Sequence, residues 1–527
     1  MASRREAIVA GNHAAADEEV DMAIAIEVAW DHSGAVLEEF RQAIRRGLGR
    51  RARWRRQRRR LAAVSAALHR AAGKGLRHDS ADIARIAACC VRGSAVAREG
   101  GGDLGVEGLR GTPRCVVSAM SSPTPRWNNM RVPVLCAALT VLAVTRVAAQ
   151  NVGYEVPPAQ GDGWRTASAE TVGMDPSRLA QLTESLRAWP ELGVHAVLIE
   201  RGGVLVYEAY FDGFDERWGE PLGRVTMTGD TKHDLRSVTK SVVSALAGIA
   251  LSTGAIRSLD QPAIEWFPEY PELDTPEHRR VTLAHVLGMT SGVQWNEEVP
   301  YNDPRNDEIR MTQDAQPLRY ALSRPFAHEP GAEFTYNGGL TQVMAAVIER
   351  ATGMPIEEYA RTKLFEPLGI TDFEWLGDLA DMPAAASGLR LRARDLAKFG
   401  SLYLHNGQWN GTQVIPADWV DLSTRRHFRF RPRTGIDEGG EFGYAYFWWY
   451  SCYPTSHGLV EARTAIGNGQ QRIFVLPGLD MVVTILAGRY NDFTTGANLG
   501  TRILRQHVIP AVTNGVKVGC AGVRGVG

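Results

Sequence analysis

The chain has 527 residues, an apolar fraction of 44% and a formal net charge of zero. This length accommodates one large domain or two to three smaller ones, and the balanced charge argues against a chain built as a whole to bind nucleic acid. The six cysteines form no C-x-x-C pair and no Cys/His cluster, so neither a zinc site nor a disulfide framework is indicated. A single bond between Cys452 and Cys520 is compatible with the sequence, but nothing in it favours that bond.

Residues 1–129 lack the pattern of a folded domain. Arg and Ala dominate this region, and residues 41–60 contain eleven Arg and no acidic residue. A basic amphipathic helix here would favour contact with nucleic acid or a membrane surface. The plainer interpretation, which we favour, is a low-order extension that belongs to a mis-assigned start of the chain.

A basic, then apolar, then small-residue pattern begins at Met130. Arg131 precedes the apolar run at 132–144, and small residues at 147–149 lead to Gln150. This order is typical of a secretory signal peptide at 130–149, and the apolar run is short for a transmembrane helix. We therefore expect a secreted or periplasmic protein with a mature end near Gln150 and no stable membrane insertion after processing. An internal anchor or a core segment is the alternative.

The rest of the chain has strand patterns at both ends and helix patterns between them, after a Pro/Gly-rich linker at 150–163. Strand patterns are rich in β-branched residues and occur at 194–200, 204–211, 473–476 and 481–487. Helix patterns have apolar residues three to four apart and occur at 176–189, 282–287, 340–351, 356–364, 393–404 and 497–508. The simplest architecture is one sheet built from the N- and C-terminal strands, with a helical insertion and a disordered tail at 511–527.

Ser237 lies three residues before Lys240, where the apolar stretch 242–251 begins. At a helix start this spacing places both side chains on one face, beside unpaired backbone N–H groups and the positive end of the helix dipole. Those are the parts of an activated serine nucleophile. The tetrapeptide alone is a weak signal, because a capping Ser followed by a solvated Lys has the same spacing.

Several stretches together resemble the serine β-lactamase and penicillin-binding-protein superfamily, in its class C-like branch. They match in order and spacing across residues 164–510 and lie at 237–241, 281–292, 330–339, 387–400 and 467–473. The nearest resemblance is to 6-aminohexanoate-dimer hydrolases and family VIII-like carboxylesterases. It implies an α/β (α+β) fold of the β-lactamase/transpeptidase-like type: an antiparallel sheet with flanking helices, a mostly helical subdomain, and an active site between them.

The resemblance also implies roles for single residues, without a metal or a cofactor. Ser237 would be the acyl-accepting nucleophile, and Lys240 its base, with a pKa lowered by burial and a neighbouring cation or phenol. Tyr336 would pass the proton to the leaving group; its alternative role is that of a buried loop aromatic.

The backbone of the third motif would complete the site. An oxyanion would be held by the N–H of Ser237 and a strand N–H near Asn468, where Gly467 and Gly469 permit close backbone approach. Members that act on β-lactams usually begin this motif with Lys or His, whereas Ile466 and Gly467 stand here.

The second motif also departs from the family, because Gly338 holds the position where Asn or Ser is usual. The glycine removes a polar side chain that would hold Lys240 or the substrate amide, and Asn337 or a water is the expected substitute. Among the other candidates, His285 is expected to be structural. The aromatic residues 444–450 are expected to be core, with one or two of Tyr446, Trp448 and Trp449 lining the pocket, and loop 301–303 either borders the cleft or is solvated.

Together these features predict a serine hydrolase that cleaves a small ester or amide through an acyl-enzyme. A D,D-peptidase or β-lactamase is the alternative within enzymes. A catalytically silent relative that binds peptidoglycan-like or polymer ligands is the alternative outside them. The sequence names neither the physiological substrate nor the oligomeric state.

Overall fold

The computed structural model describes residues 153–377, 382–430, 441–455, 458–492, 499–517 and 519–520. The chain divides into two units, 1–143 and 144–527, and every described residue belongs to the second. The Arg-rich extension and the predicted signal peptide lie outside the described residues, so both stay predictions. No helix of the described part combines the length and the apolar composition needed to span a bilayer.

The strands of the described residues are, in chain order, β1 (Val194–Arg201), β2 (Val204–Tyr210), β3 (Gly213–Arg217), β4 (Glu220–Val225), β5 (Lys232–Asp234), β6 (Glu374–Trp375), β7 (Leu389–Arg392), β8 (Gln408–Trp409), β9 (Thr412–Gln413), β10 (Phe428–Arg429), β11 (Glu441–Tyr444), β12 (Trp449–Thr455), β13 (Gly458–Gly467), β14 (Gln471–Leu476) and β15 (Met481–Ala487). Eight of them form one antiparallel sheet in the order β10-β11-β12-β13-β14-β15-β1-β2. The predicted single sheet from both ends of the domain is therefore confirmed.

The helices of the described residues are α1 (Pro176–Ala188), α2 (Val238–Ser252), α3 (Pro276–Arg279), α4 (Leu283–Leu287), α5 (Asp307–Thr312), α6 (Pro317–Leu322), α7 (Gly338–Thr352), α8 (Ile356–Ala360), α9 (Ala393–Leu404), α10 (Ala417–Thr424) and α11 (Leu499–Ile503). Single π-helical turns, Arg361–Phe365 and Leu504–Val508, continue α8 and α11. Most helices lie between β2 and β10 in the chain, as the predicted helical insertion requires.

Alternating side chains of the sheet enter two separate cores. On β14, Ile473 and Val475 pack in the core that includes α2, α7 and α9, whereas Phe474 and Leu476 pack against α1 and α11. This alternation follows from the two-residue period of a strand, and a sheet covered on both faces explains why β14 and β15 are apolar throughout.

Helix α2 runs through the first core and is buried from Val238 to Ala250. A helix that is apolar all round is stable only when other elements surround it. Gly248 is required for this packing, because a Cβ there would overlap the ring of Trp419 on α10. The motif of Ser237 and Lys240 is therefore fixed at the start of a helix that is buried over most of its length.

The described part of the C-terminal tail, residues 511–517 and 519–520, differs from the predicted disorder; the other residues of the predicted range lie outside the described ones. Lys517 N donates to Gly478 O at 2.8 Å and Gly519 N donates to Leu459 O at 2.8 Å. Cys520 forms a disulfide with Cys452 on β12. Lys517 is thus attached to the turn between β14 and β15, Gly519 to β13 and Cys520 to β12, which the Gly- and Val-rich composition of the tail does not reveal.

Candidate active site

A tight turn presents Ser237 at the start of α2. The N–H groups of Val238, Thr239 and Lys240 each donate to the carbonyl three residues earlier in the chain, at 2.9–3.2 Å. Arg236, directly before the serine, has a φ of 50°, which is uncommon for a residue with a Cβ. Ion pairs with Glu216 and with Asp234 (3.3 Å) hold its guanidinium in place. Surrounding charges therefore maintain a strained backbone next to the candidate nucleophile, as is common at functional sites.

Lys240 lies beside Ser237 and is enclosed by acceptors. Its Nζ donates to Ser237 Oγ at 3.0 Å, to Ala386 O at 3.0 Å and to Glu308 Oε2 at 3.4 Å. The lysine is 1% exposed. Three acceptors use all three protons of an ammonium group, so the geometry fits a charged lysine.

Tyr336 completes the group that the motif spacing brings together. Its ring centroid is 5.0 Å from Lys240 Nζ, and its hydroxyl interacts with Ser237. Burial raises the pKa of Tyr336, although Lys240 opposes the shift. The ring stacks on Trp449 with centroids 5.8 Å apart. The structure thus places Ser237, Lys240 and Tyr336 in one cluster, as the family motifs imply.

The electrostatics around Lys240 differ from the expectation of a lowered pKa. Burial by itself lowers the pKa of Lys240, but the charges of Glu308, Tyr336 and Glu297 outweigh it, and the net pKa lies above its ordinary value. The predicted lowering is wrong because two carboxyl groups stand beside the ammonium where a cation was expected, and the neighbouring phenol of Tyr336 also raises the pKa of Lys240.

Glu297 and Glu308 are functional candidates that the sequence reasoning missed. Glu308 is 2% exposed and Glu297 is 9% exposed. Glu297 accepts hydrogen bonds from Gly338 N, from the indole of Trp295 and, at 3.0 Å, from Tyr301 Oη. Burial and the neighbouring Glu308 raise the pKa of Glu297 to about 8. Burial by itself would raise the pKa of Glu308. The charge of Lys240 and the hydrogen bonds of Glu308 with neighbouring side chains outweigh burial, so the net pKa lies below its ordinary value.

The third motif lies against the turn that presents Ser237. A Cβ on Gly467, the last residue of β13, would collide with Leu235 O two residues before Ser237. Asn468 follows, and its side chain exchanges hydrogen bonds with Asn491: Oδ1 accepts from the backbone N–H at 2.8 Å and Nδ2 donates to Oδ1 at 3.1 Å. The close backbone approach predicted for Gly467 is therefore present.

The neighbouring positions have mainly structural contacts. Gly469 has a φ of 90° and leaves no room for a Cβ beside the ring of Tyr490. Asn337 is buried, and its Oδ1 accepts from Leu340 N at 3.2 Å as the N-cap of α7. A substrate-binding role for Asn337 stays a prediction, but its side chain does not occupy the space that Gly338 vacates. His285 forms a capping box with Thr282, which confirms its structural interpretation.

Among the three aromatic candidates, only Trp449 is partly exposed. Trp448 packs on Tyr403 with centroids 4.3 Å apart in the core, and Tyr446 is buried against His427. Because Trp449 stacks on Tyr336, it is the one that borders the cluster of Ser237, Lys240 and Tyr336.

Arg472 lies on the sheet face opposite α2. It alternates with Ile473, and its Cγ is next to Gly500 of α11. The guanidinium donates to the carbonyls of Gly467 and Gln471 and to Gln470 Oε1 at 2.9–3.2 Å. Burial lowers its pKa to about 10. These contacts hold the cation within the sheet and α11.

Among the described residues, His195, Asp215 and His233 bring three metal-ligating atoms within 4.8 Å of one another. His195 Nδ1 and His233 Nε2 are hydrogen-bonded at 2.8 Å, and Tyr490 Oη donates to Asp215 Oδ1 at 2.9 Å. Burial, followed by His233, lowers the pKa of His195 to about 4, so the imidazole is neutral. Hydrogen bonds thus join residues of β1, β3 and β5, whereas His195 Nε2 and Asp215 Oδ2 are buried without a hydrogen-bond partner.

The sequence model of the family described as Beta-lactamase matches residues 181–506, and the chain therefore belongs to the β-lactamase family. The 6-aminohexanoate-dimer hydrolase of Paenarthrobacter ureafaciens is 28% identical over 327 residues, 59% of this chain and 76% of that protein. Esterase EstB of Burkholderia gladioli is 30% identical over 203 residues, 37% of this chain and 49% of that protein. A solved structure, the octameric penicillin-binding protein homologue from Pyrococcus abyssi, is 19% identical over 64% of this chain and 79% of its own, with a TM-score of 0.48.

The family match and the two sequence relatives confirm the predicted fold class and the predicted kind of protein. The chain is an enzyme, a hydrolase with the serine β-lactamase fold, in which the antiparallel sheet and its helices support the Ser237 cluster.

Proposed function

We propose that this hydrolase cleaves small esters or amides through an acyl-enzyme on Ser237. The observation that carries the proposal is the 3.0 Å contact between Ser237 Oγ and Lys240 Nζ at the start of a buried helix, with Tyr336 beside both. A nucleophile hydrogen-bonded to a group that exchanges its proton is the arrangement that covalent catalysis requires.

In the proposed reaction, Ser237 Oγ attacks the carbonyl carbon and loses its proton through Lys240 and Tyr336. The backbone N–H groups of Ser237 and Asn468 stabilise the oxyanion. The close approach of Gly467 to Leu235 supports this role, because these two residues lie just before Asn468 and Ser237 in the chain. The proton returns to the leaving alcohol or amine, and a water molecule then hydrolyses the acyl-enzyme by the same steps in reverse.

The charge pattern favours uncharged acyl substrates over β-lactams and D-alanyl peptides. Those substrates carry a carboxylate next to the scissile amide, and a cation at the third motif normally pairs with it. Here Ile466 and Gly467 stand at the motif, Arg472 is held against α11, and Arg463 pairs with Glu461 at 3.1 Å.

A comparison of two chromogenic substrates tests this preference. The kcat/KM for a short-chain p-nitrophenyl ester is expected to exceed that for a chromogenic cephalosporin by at least about tenfold, or about 1.4 kcal/mol of transition-state binding. Equal or reversed efficiencies would replace the esterase proposal with the β-lactamase or peptidase one. Absence of fluorophosphonate labelling on Ser237 would instead favour the catalytically silent binder.

A further inference from the structure

The second motif lacks its usual third side chain, and another residue occupies the vacated space. A Cβ on Gly338 would overlap Glu308 Oε2 and would lie 3.2 Å from Ala386 Cβ. The carboxylate of Glu308 therefore stands where a side chain at position 338 would begin. From that place it contacts Lys240 Nζ at 3.4 Å.

We propose that Glu308, paired with Glu297, replaces the missing side chain of the tyrosine motif as the positioning residue that holds Lys240 charged against Ser237. This inference rests on the proposed function of Ser237 as the nucleophile. It extends that function because it assigns an acidic partner to Lys240 where the motif usually supplies a neutral Asn or Ser.

The loop before α5 is built to deliver this carboxylate. Asn306 caps the helix by accepting from Glu308 N at 2.9 Å. The neighbouring Asp307 accepts from Asn296 N at 2.8 Å and from Tyr320 Oη at 2.7 Å, which fixes the backbone beside Glu297. Hydrogen bonds thus hold the backbone on both sides of the pair, so the proximity of Glu297 and Glu308 is a fixed feature of the fold.

The buried charges balance if the two carboxyl groups share one proton. Like charges in contact cannot both ionise at low cost in a buried site, whereas one carboxylate beside one ammonium is neutral overall. The titratable or polar side chains that face the pair from the surrounding elements are those of Lys240, Trp295, Tyr301, Tyr336, Ser387 and Tyr444. Lys240 is the only cation in this set, so Glu308 is its counter-ion.

The charge of Lys240 also determines how the proton of Ser237 moves. An ammonium at Lys240 accepts that proton only if it releases one of its own, and the Tyr336 hydroxyl lies beside both Ser237 and Lys240. As Ser237 Oγ bonds to the acyl carbon, its proton passes to Lys240, a lysine proton passes to the Tyr336 oxygen, and the Tyr336 hydroxyl proton passes to the leaving group, whose bond to the acyl carbon then breaks. Glu308 remains a carboxylate throughout, so Lys240 keeps its counter-ion.

Replacement of Glu308 by Gln tests the assignment. The variant keeps the shape of the side chain but cannot balance the charge of Lys240, so kcat for the p-nitrophenyl ester at pH 7 is expected to fall at least about 100-fold with KM changed less than about threefold. Without its anionic partner Lys240 deprotonates more readily. The gap between wild type and variant should therefore narrow as pH rises from 7 to 9.5, which a merely structural role would not produce.

Two further variants keep the result interpretable. Glu200→Gln removes another buried carboxylate, one that contacts Ser401 and His405, and it should leave kcat within about twofold. Glu308→Ala combined with Gly338→Asn restores the usual motif in the emptied space and should recover kcat at least about tenfold over Glu308→Ala alone.

A wild-type kcat and an unchanged pH profile in Glu308→Gln, with Ser237 still labelled by a fluorophosphonate, would overturn the carboxylate assignment alone. Failure of the wild-type enzyme to label at Ser237 would overturn the proposed function itself.

Discussion

Replacement of Lys240 by Met would leave the Glu308 carboxylate buried without its counter-ion. The two side chains are 1% and 3% exposed, and Lys240 Nζ lies 3.4 Å from Glu308 Oε2. Loss of one partner of such a buried pair costs about 3–5 kcal/mol, because the remaining charge has neither water nor a partner. For a domain of this size that cost lowers Tm by about 4–7 °C at pH 7.

The pH dependence identifies the cause of the loss. In the wild type the pKa of Glu308 is lowered by Lys240, so its contribution to stability is present above its unfolded pKa and is lost as pH falls through its folded pKa. In Lys240→Met burial is unopposed and the pKa of Glu308 rises. The carboxyl then becomes protonated as pH falls, so the deficit in unfolding free energy should shrink between pH 7 and pH 5.

Thermal and chemical denaturation of wild type, Lys240→Met, Glu308→Gln and the double variant form the assay. The double variant carries no unpaired charge and should be more stable than Lys240→Met by at least about 2 kcal/mol at pH 7. A Lys240→Met variant that unfolds like wild type at both pH values would refute the buried pair. Equal stabilities of Lys240→Met and the double variant would do the same.

The pKa of Glu297 is raised to about 8 by burial and by Glu308, so the stability it contributes is present below its unfolded pKa and is lost as pH rises toward 8. In Glu297→Gln this loss should be absent, so the unfolding free energy of the variant should rise relative to that of wild type by up to about 1.4 kcal/mol for each pH unit across that window. The same difference in unfolding free energy between variant and wild type at pH 5 and at pH 8 would contradict this prediction. Gly467→Ala should lower kcat at least about tenfold, because its Cβ displaces Leu235 in the turn before Ser237. Gly229→Ala is the matched control, since its Cβ would make only an ordinary 3.4 Å contact with Tyr210, and equal activity of the two variants would contradict the close approach.

Local sequence patterns predicted the elements that position Ser237. The spacing of Ser237 and Lys240 at the start of an apolar stretch specifies a helix face, and α2 has that face. The periodicity at 393–404 predicts α9 with its observed bounds, Ala393–Leu404. The β-branched runs at 473–476 and 481–487 predict the central strands β14 and β15. In each case the signal lies within a few residues of the element that it specifies.

The acidic half of the site had no such local signal. Glu308 is separated from Lys240 by 68 positions, and Glu297 from Gly338 by 41, so only the folded chain brings them together. The one sequence feature that points to them is Gly338, a glycine where a polar side chain is usual. A glycine there leaves a space that another side chain fills, but the sequence does not identify that side chain. The pKa predicted for Lys240 was wrong because the two carboxyl groups near it were not known from the sequence.

Intact mass spectrometry of the enzyme quenched during turnover of a slowly deacylated p-nitrophenyl ester tests the covalent mechanism most directly. The wild type should carry one added acyl mass that maps to the peptide containing Ser237, and Ser237→Ala should carry none and should not turn over the ester. An acyl group on another residue, or turnover by a folded Ser237→Ala variant, would contradict the assignment of Ser237 as the nucleophile.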